Sequence, residues 1–240
     1  MKILVTGGNT LVPIDKVRAI TNIFKGRTGA AIATECMLRG HQTTLIGNQL
    51  MWDFMGINPH AEGFTFVPYK TYDELYEAME REITTGGYDC VIHSAAVSDY
   101  KVVRVYGDDE PCFSGKTQTE TEVARGGKIS SSHKRLIIEL DPTEKIVDKI
   151  RDPWGFKRIL VKFKLQVDMP DEKLLAVAEK SRKTSNADFI VANCLEWSRE
   201  RAYIIDEFGA KQIKREHLPI VLMDKIDRFD LTAEFCPVSF

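Results

Sequence analysis

Lys2-Ile3-Leu4-Val5-Thr6-Gly7-Gly8, near the start of the chain, is an apolar run of strand length stopped by two glycines. A strand buried on both faces of a parallel sheet has this character, because neither side of it needs polar residues. Outward from it, Arg27 to Arg39 has helical spacing and is rich in small residues (Gly29, Ala30, Ala31, Ala33), which let a helix backbone lie close to a sheet. Gly40 ends that helix, and Gln42 to Ile46 reads as the next strand. Thr65 to Val67 is a weaker strand. Tyr72 to Ile83 is an amphipathic helix with Leu75, Tyr76, Met79 and Ile83 on its apolar face, and Cys90 to His93 is a further strand. Alternating strands and helices predict an α/β, Rossmann-like, mostly parallel sheet with flanking helices and right-handed crossovers.

The second half changes character. Residues 107 to 133 are polar and hold Gly115, Gly126 and Gly127, which predicts a polar flap. Arg135 to Leu140 then alternates as a strand. Glu144 to Arg151 reads as a short helix, Arg158 to Leu165 as a strand, Glu172 to Lys183 as a helix and Asp188 to Ala192 as a strand. Ala202 to Ile205 and Lys211 to Ile213 flank Phe208-Gly209, which predicts a small β-hairpin extension before a last helix over Arg215 to Arg228. No repeat or linker divides the chain, so residues 1–240 are expected to form one domain.

Composition removes several classes of function. Apolar residues make up 43% and charged residues 28% of the 240, and 33 basic against 35 acidic groups leave a net charge of −2. A disordered chain has fewer apolar residues, and a nucleic-acid-coating polycation has unbalanced lysines and arginines. No stretch approaches the roughly 18 apolar residues that span a bilayer, and no leader precedes Lys2, so neither membrane nor nucleic acid is an expected partner. Cys36, Cys90, Cys112, Cys194 and Cys236 are scattered without C-x-x-C spacing, which reads as reduced thiols in a cytoplasmic protein. His41, His60, His93, His133 and His217 show no metal-ligand spacing, and His93 lies inside an apolar strand as a core histidine would.

Four short stretches can carry chemistry. Thr6-Gly7-Gly8-Asn9-Thr10 follows the first strand; its glycines let backbone amides approach a phosphate, and Thr10 adds a hydroxyl. A tight turn explains the same glycines. The helix follows only some 15 residues later, which argues against a nicotinamide-dinucleotide loop. Arg18, Asn22 and Arg27 lie around the start of that helix, where cationic and neutral donors suit an anion, although a solvated loop has the same composition. Ser94-Ala95-Ala96-Val97-Ser98-Asp99-Tyr100 follows a central strand, where ligands of open α/β sheets gather; the small residues leave room for a base, and Asp99 suits a magnesium ion or a nucleotide hydroxyl unless it only caps a helix. Gly126-Gly127-Lys128-Ile129-Ser130-Ser131 puts a lysine on a glycine hinge, suited to a polyphosphate, whereas most loop lysines are merely solvated.

In this order the stretches resemble phosphopantothenoylcysteine synthetase, the phosphopantothenate–cysteine ligase family, in its short stand-alone bacterial form. The likeness runs from Lys2 to about Arg228 and also takes in Pro13-Ile14-Asp15, Val17 to Asn22, Phe163-Lys164-Leu165 and Ala187 to Asn193. It implies a cytoplasmic ligase of coenzyme A biosynthesis that uses CTP, or ATP, with Mg2+ to join phosphopantothenate to cysteine through an acyl-nucleotide. The resemblance implies that Gly8, Asn9 and Thr10 lie near phosphates, that Asn22 supports the acyl group, and that Arg18 and Arg27 contact substrate anions. It further implies that Ala95, Ala96, Glu144, Ile146 and Phe163 border the nucleotide, that Asp99 meets its sugar or metal, and that Lys128 neutralises charge in the transition state. A homodimer with shared sites is implied as well.

The chain departs from the family pattern. Ser130 and Ser131 replace later lysines of the flap, Ile23-Phe24-Lys25 replaces a Ser- or Thr-rich stretch, Lys162 replaces a glycine, and Cys194 replaces an aspartate. Ser181 and Ser185 stand where some relatives have lysines. Rival readings are a paralogue with a shifted substrate, a non-catalytic nucleotide or phosphate binder, and an NAD(P)-dependent short-chain-type reductase. No Tyr-x-x-x-Lys pair follows Tyr72, Tyr76 or Tyr100 to support the last.

Overall fold

The apolar run forms β1 (Lys2–Gly7), and Ile3, Leu4 and Val5 are wholly buried. In the computed structural model, which describes residues 1–48, 51, 61–108, 121–122 and 127–235, β1 lies inside an eight-stranded sheet. It pairs in parallel with β4 (Gln42–Gly47) on one side and β6 (Cys90–His93) on the other. β5 (Phe64–Pro68) continues the sheet beyond β4, and β10 (Ile159–Gln166) and β11 (Phe189–Cys194) continue it beyond β6, all parallel. β12 (Arg201–Asp206) and β13 (Gly209–Lys214) then add antiparallel, giving the order β13-β12-β11-β10-β6-β1-β4-β5. The mostly parallel α/β expectation holds. The predicted hairpin extension is the edge of this sheet, with Ile204 fully buried.

Alternation along the strands sorts the core into two faces. Ile3, Val5, Ile92, Val161 and Val191 pack under α1 (Arg27–Leu38) and α5 (Leu218–Phe235). Leu4, Val91 and Leu160 pack on the other side under α2 (Tyr72–Thr85) and α3 (Ile146–Lys149). α4 (Asp171–Thr184) covers the sheet near β11 and β12 through Leu174 and Ala178. α2 starts at a capping box in which Thr71 Oγ1 accepts from the Glu74 amide and the Glu74 carboxylate accepts from the Thr71 amide, satisfying two donors that a helix end leaves open.

α1 lies against β1 as its small residues predict. A Cβ on Gly29 would stand 3.0 Å from Gly7 Cα and 2.9 Å from Ser94 Oγ, so no larger residue fits there. Ala30 and Ala33 face the core, but Ala31 points to solvent and takes no part in the close approach.

Two pieces of structure were not anticipated. β2 (Leu11–Pro13) and β3 (Ala19–Thr21) form a small antiparallel hairpin inside the insertion between β1 and α1. Strands of three residues are too short to show a period of two. β7 (Tyr100–Asp108) pairs antiparallel with β9 (Arg135–Pro142) and with β8 (Thr121–Glu122), making a ribbon at the base of the predicted flap. The flap residues Gly115 and Gly126 lie outside the described residues, as do Cys112, Cys236 and His60. Among the described residues no helix is long and apolar enough to cross a membrane.

Because Ile32 of α1 is fully buried, Ile32→Ala should lower stability by about 2–5 kcal/mol. Ala31→Lys should change it by no more than about 0.5 kcal/mol. Urea unfolding of both variants tests the orientation of α1.

Candidate active site

From β1 the chain first builds the sheet outward through β4 and β5, then returns to the other flank of β1 with β6 and moves outward through β10 and β11. The direction therefore reverses between β1 and β6, and open α/β sheets bind ligands in a crevice beyond the carboxyl ends of the strands at such a reversal. Gly7-Gly8 and Ser94 to Asp99 are the two rims of that crevice. Backbone bonds bridge them past the end of the sheet: the Ala96 amide donates to Gly8 O at 2.7 Å, and the Thr10 amide donates to Ala96 O at 3.4 Å.

The glycine turn is shaped by close contacts. Gly8 has φ +88°, and a Cβ there would meet the Asn48 side chain at 2.7 Å. Gly26, immediately before α1, has φ +84°, and its Cβ would lie 2.5 Å from Gly8 N. The amino terminus of α1 is thus pressed against the turn, although the insertion separates them in sequence. Residues 9–25 leave and return, so the delay of the helix in sequence does not separate it from the glycines in space.

Asn9, Thr10 and Asn22 are positioned by one another. Asn9 is 5% exposed; its Nδ2 donates to Thr21 Oγ1 at 2.7 Å and to Asn22 O at 2.8 Å, and its Oδ1 accepts from Asn48 Nδ2. The Thr10 side chain is wholly buried and accepts from the Ser98 amide at 2.8 Å. Burial therefore makes Asn9 and Thr10 builders of the turn and leaves the backbone to face the crevice. Asn22 Nδ2 donates to Ala96 O at 3.0 Å, which sets its carboxamide at the junction of both rims. Asp99 is exposed, and its carbonyl accepts from the Thr143 amide at 2.9 Å, bringing the Glu144 segment to the same rim.

A clamp joins the β2–β3 hairpin to the flap. Arg18 donates to Asp15 Oδ2 through Nε at 2.9 Å and Nη2 at 2.5 Å, and Nη2 also reaches Ile129 O at 2.9 Å. The Ile129 amide donates to Asp15 Oδ2 at 3.1 Å. Lys128 is exposed immediately before this anchored residue. The Arg18 guanidinium holds the Asp15 carboxyl well below the usual carboxylate range, with the Val17, Ile129 and Arg18 amides acting in the same direction. Sequence reading gave roles to Arg18 and Lys128, and took in Asp15 only as part of Pro13-Ile14-Asp15 without a role; its side chain is 1% exposed.

The remaining residues divide. Arg27 heads α1 with an exposed side chain, next to Gly26. Phe163 is half-buried on β10, against the core under α1 and α5. Glu144 is exposed and pairs with Lys149 at 3.1 Å. Ile146 is a correction: its side chain is 1% exposed and belongs to the core under α2 and α3, so only its backbone is left for a ligand. Among the described residues no group of three or more His, Cys, Asp or Glu side chains is placed to hold a metal ion. Cys36, Cys90 and Cys194 are buried free thiols, and burial pushes Cys36 up to about 12.

Beneath the rims lies a buried polar row. Thr6, His93 and Lys162 are register partners across β1, β6 and β10. Thr6 Oγ1 is 2.8 Å from His93 Nδ1, and the Ala95 amide donates to Thr6 Oγ1 at 3.3 Å. Burial, aided by the Lys162 charge, pushes His93 down to about 4, so it is neutral at physiological pH, as a core histidine should be.

Residues 1–109 match the family model DFP, described as the DNA/pantothenate metabolism flavoprotein C-terminal domain. A coenzyme A biosynthesis bifunctional protein CoaBC of Thermococcus kodakarensis is 32% identical over 196 residues, which are 81% of this chain and 41% of that protein. The CoaBC of Methanocaldococcus jannaschii is 26% identical over 194 residues, 81% of this chain and 40% of that protein. The chain therefore spans less than half the length of these relatives. The solved DNA/pantothenate metabolism flavoprotein from Streptococcus pneumoniae, 28% identical, superposes with a TM-score of 0.80 over 95% of this chain and 99% of its own. A Cab2 variant solved in complex with phosphopantothenate-cysteine shares the fold at a TM-score of 0.73 and 17% identity, over 97% of this chain and 88% of its own. These likenesses bear out the resemblance drawn from the ordered motifs and the Rossmann-like architecture.

Asp15→Asn should open the clamp, so that the Ile129 amide exchanges about tenfold faster while the Ile92 amide in β6 is unchanged, as read by hydrogen–deuterium exchange. A depressed carboxyl pKa contributes stability above the unfolded value and loses it only as pH falls through the lowered one. Protection of the wild-type Ile129 amide should therefore persist from about pH 8 down to about pH 5.

Proposed function

We propose that the chain is a phosphopantothenate–cysteine ligase of coenzyme A biosynthesis, with CTP or ATP as co-substrate. The observation that carries this reading is the convergence of Gly8, Asn22 and Asp99 from three separate segments on one crevice, linked through the backbone of Ala96 and the Thr10–Ser98 contact. The relatives named CoaBC support the same reaction class.

The chemistry requires two anions to meet. The phosphopantothenate carboxylate attacks the α-phosphorus of the nucleotide, the bond to pyrophosphate breaks, and an acyl-nucleotide forms. The cysteine amine then attacks the acyl carbon, the nucleoside monophosphate leaves, and the amine loses its proton as the amide forms. Positioning and charge compensation dominate such transfers. Backbone donors at the Gly8 turn and the α1 terminus address phosphate, assisted by Arg27. Asn22 Nδ2 lies on the rim where an acyl oxygen gains charge, and in the complex it exchanges its bond to Ala96 O for that oxygen. Lys128, delivered by the anchored flap, neutralises the phosphates. Asp99 would be the chain's ligand to Mg2+, and the ion would supply charge compensation when bound. Ala95 and Phe163 border the base, and Glu144 the ribose side.

The partner is a second copy of this chain that completes the site. Ile23, Val17 and Ile20 on the insertion beside Asn22 are 77%, 69% and 40% exposed, an apolar set suited to cover by a protomer.

Pyrophosphate release with phosphopantothenate, cysteine and either CTP or ATP tests the reaction. Release with one nucleotide is expected, and no release with either from folded protein overturns the ligase reading. Lys128→Gln and Asn22→Ala should each lower kcat roughly 100-fold with unchanged unfolding midpoints. NADPH should give no thermal stabilisation; stabilisation by NADPH alone would favour the reductase reading that the Gly8–Gly26 contact keeps open.

A further inference from the structure

We propose that Lys162 is a positioning residue whose ammonium ties β10 to the end of α4 and, through Ser185 and Asp148, to α3, fixing the floor of the crevice for an anionic nucleotide. The proposal deepens the reading of the crevice as a nucleotide site and rests on it.

Lys162 sits one residue before Phe163 and is 6% exposed. Its Nζ donates to Ser185 Oγ at 2.5 Å and to Ser181 O at 3.2 Å. Ser185 Oγ in turn donates to Asp148 Oδ1 at 2.8 Å. One ammonium thus links a central strand with the carboxyl end of one helix and, through a hydroxyl, with the short helix that follows Glu144. On its other side Lys162 is the register partner of His93, whose partner Thr6 accepts from the Ala95 amide. The row runs from the rim of the crevice, under it, to the Glu144 segment.

Burying a lysine whose ammonium is bonded to a hydroxyl and a carbonyl opposes folding, and an apolar side chain would pack the strand at less cost. Burial pushes Lys162 down to about 8, Asp148 favours its charged form, and Lys164 and Lys145 disfavour it; neutral His93 adds no charge. The residue therefore remains mainly protonated near neutrality. Its charge is lost as pH rises through about 8, and with it the strength of the Ser185 and Ser181 bonds.

Calorimetric titration with Mg-CTP and Mg-ATP between about pH 6.5 and pH 9.5 tests this. In the wild-type chain nucleotide affinity should fall about tenfold as pH rises past about 8. Lys162→Met should bind about tenfold more weakly at neutral pH and lose that inflection. Lys162→Arg should restore neutral-pH binding and hold it to the alkaline limit, because guanidinium stays charged. A wild-type profile without the inflection, or Lys162→Met binding like wild type, overturns the proposal; the first needs no variant to fold. If the wild type binds neither nucleotide, the ligase reading fails instead. Lys162 is then judged by hydrogen exchange of the Ile150 and Arg151 amides beside α3: after correction for intrinsic rate, exchange in the wild type should be faster above about pH 8 than below it, and in Lys162→Arg it should not change across that pH; equal corrected wild-type rates overturn the positioning role.

Discussion

Beyond their last paired residues β1 and β6 stay joined, through the bonds of the Ala96 amide to Gly8 O and of the Thr10 amide to Ala96 O and a parallel bridge between Asn9 and Ala96. The rest of the crevice hangs on that stitch. Ala96 O also receives Asn22 Nδ2, and the Thr10 hydroxyl receives the Ser98 amide, so both rims and the insertion share one small set of polar groups. The Thr10 side chain is buried and the others are half-buried, and a donor or acceptor left unpaired there is costly. The rims therefore have little freedom to move independently, and a ligand meets a preformed turn.

The insertion between β1 and α1 shows how a fold keeps a phosphate-type turn while adding a recognition element. Gly26 returns the chain to Gly8 at a distance that leaves no room for a Cβ on Gly26. Between them the β2–β3 hairpin projects Asp15 and Arg18 toward the flap. Asp15 accepts from its own hairpin and from Ile129 across it, so one carboxylate organises the turn and docks the segment bearing Lys128. Anchoring the residue after a lysine restricts where its ammonium can travel without immobilising the side chain itself.

Most of the main sheet was legible because its strands are long apolar runs and its helices carry a clear 3.6-residue period. What escaped the sequence was pairing. β2 and β3 are too short to show alternation, and β7 finds its partner β9 across a polar stretch that reads as a loop. At the site, the convergence of Gly8, Asn22 and Asp99 follows motifs visible in the chain, whereas Ile146 does not: an isoleucine at a helix start has the same sequence appearance whether it faces a ligand or the core. The role of Asp15, though not the residue, was hidden for the opposite reason, since an aspartate in a polar turn looks solvated until its partners are seen.

Lys162 and Ser185 illustrate the same point in energetic terms. In the sequence they are separate departures from a family pattern, a lysine where glycine is usual and a serine where some relatives have lysine. In the fold they are one contact, with the lysine on the strand reaching the serine on the helix end at 2.5 Å. Placing a cation from the strand side rather than from the helix keeps it inside the structure, so that its partners are fixed hydroxyl and carbonyl groups and not water. A charge so held contributes through the elements it joins, which ties the chemistry of the crevice to the packing of three layers beneath it.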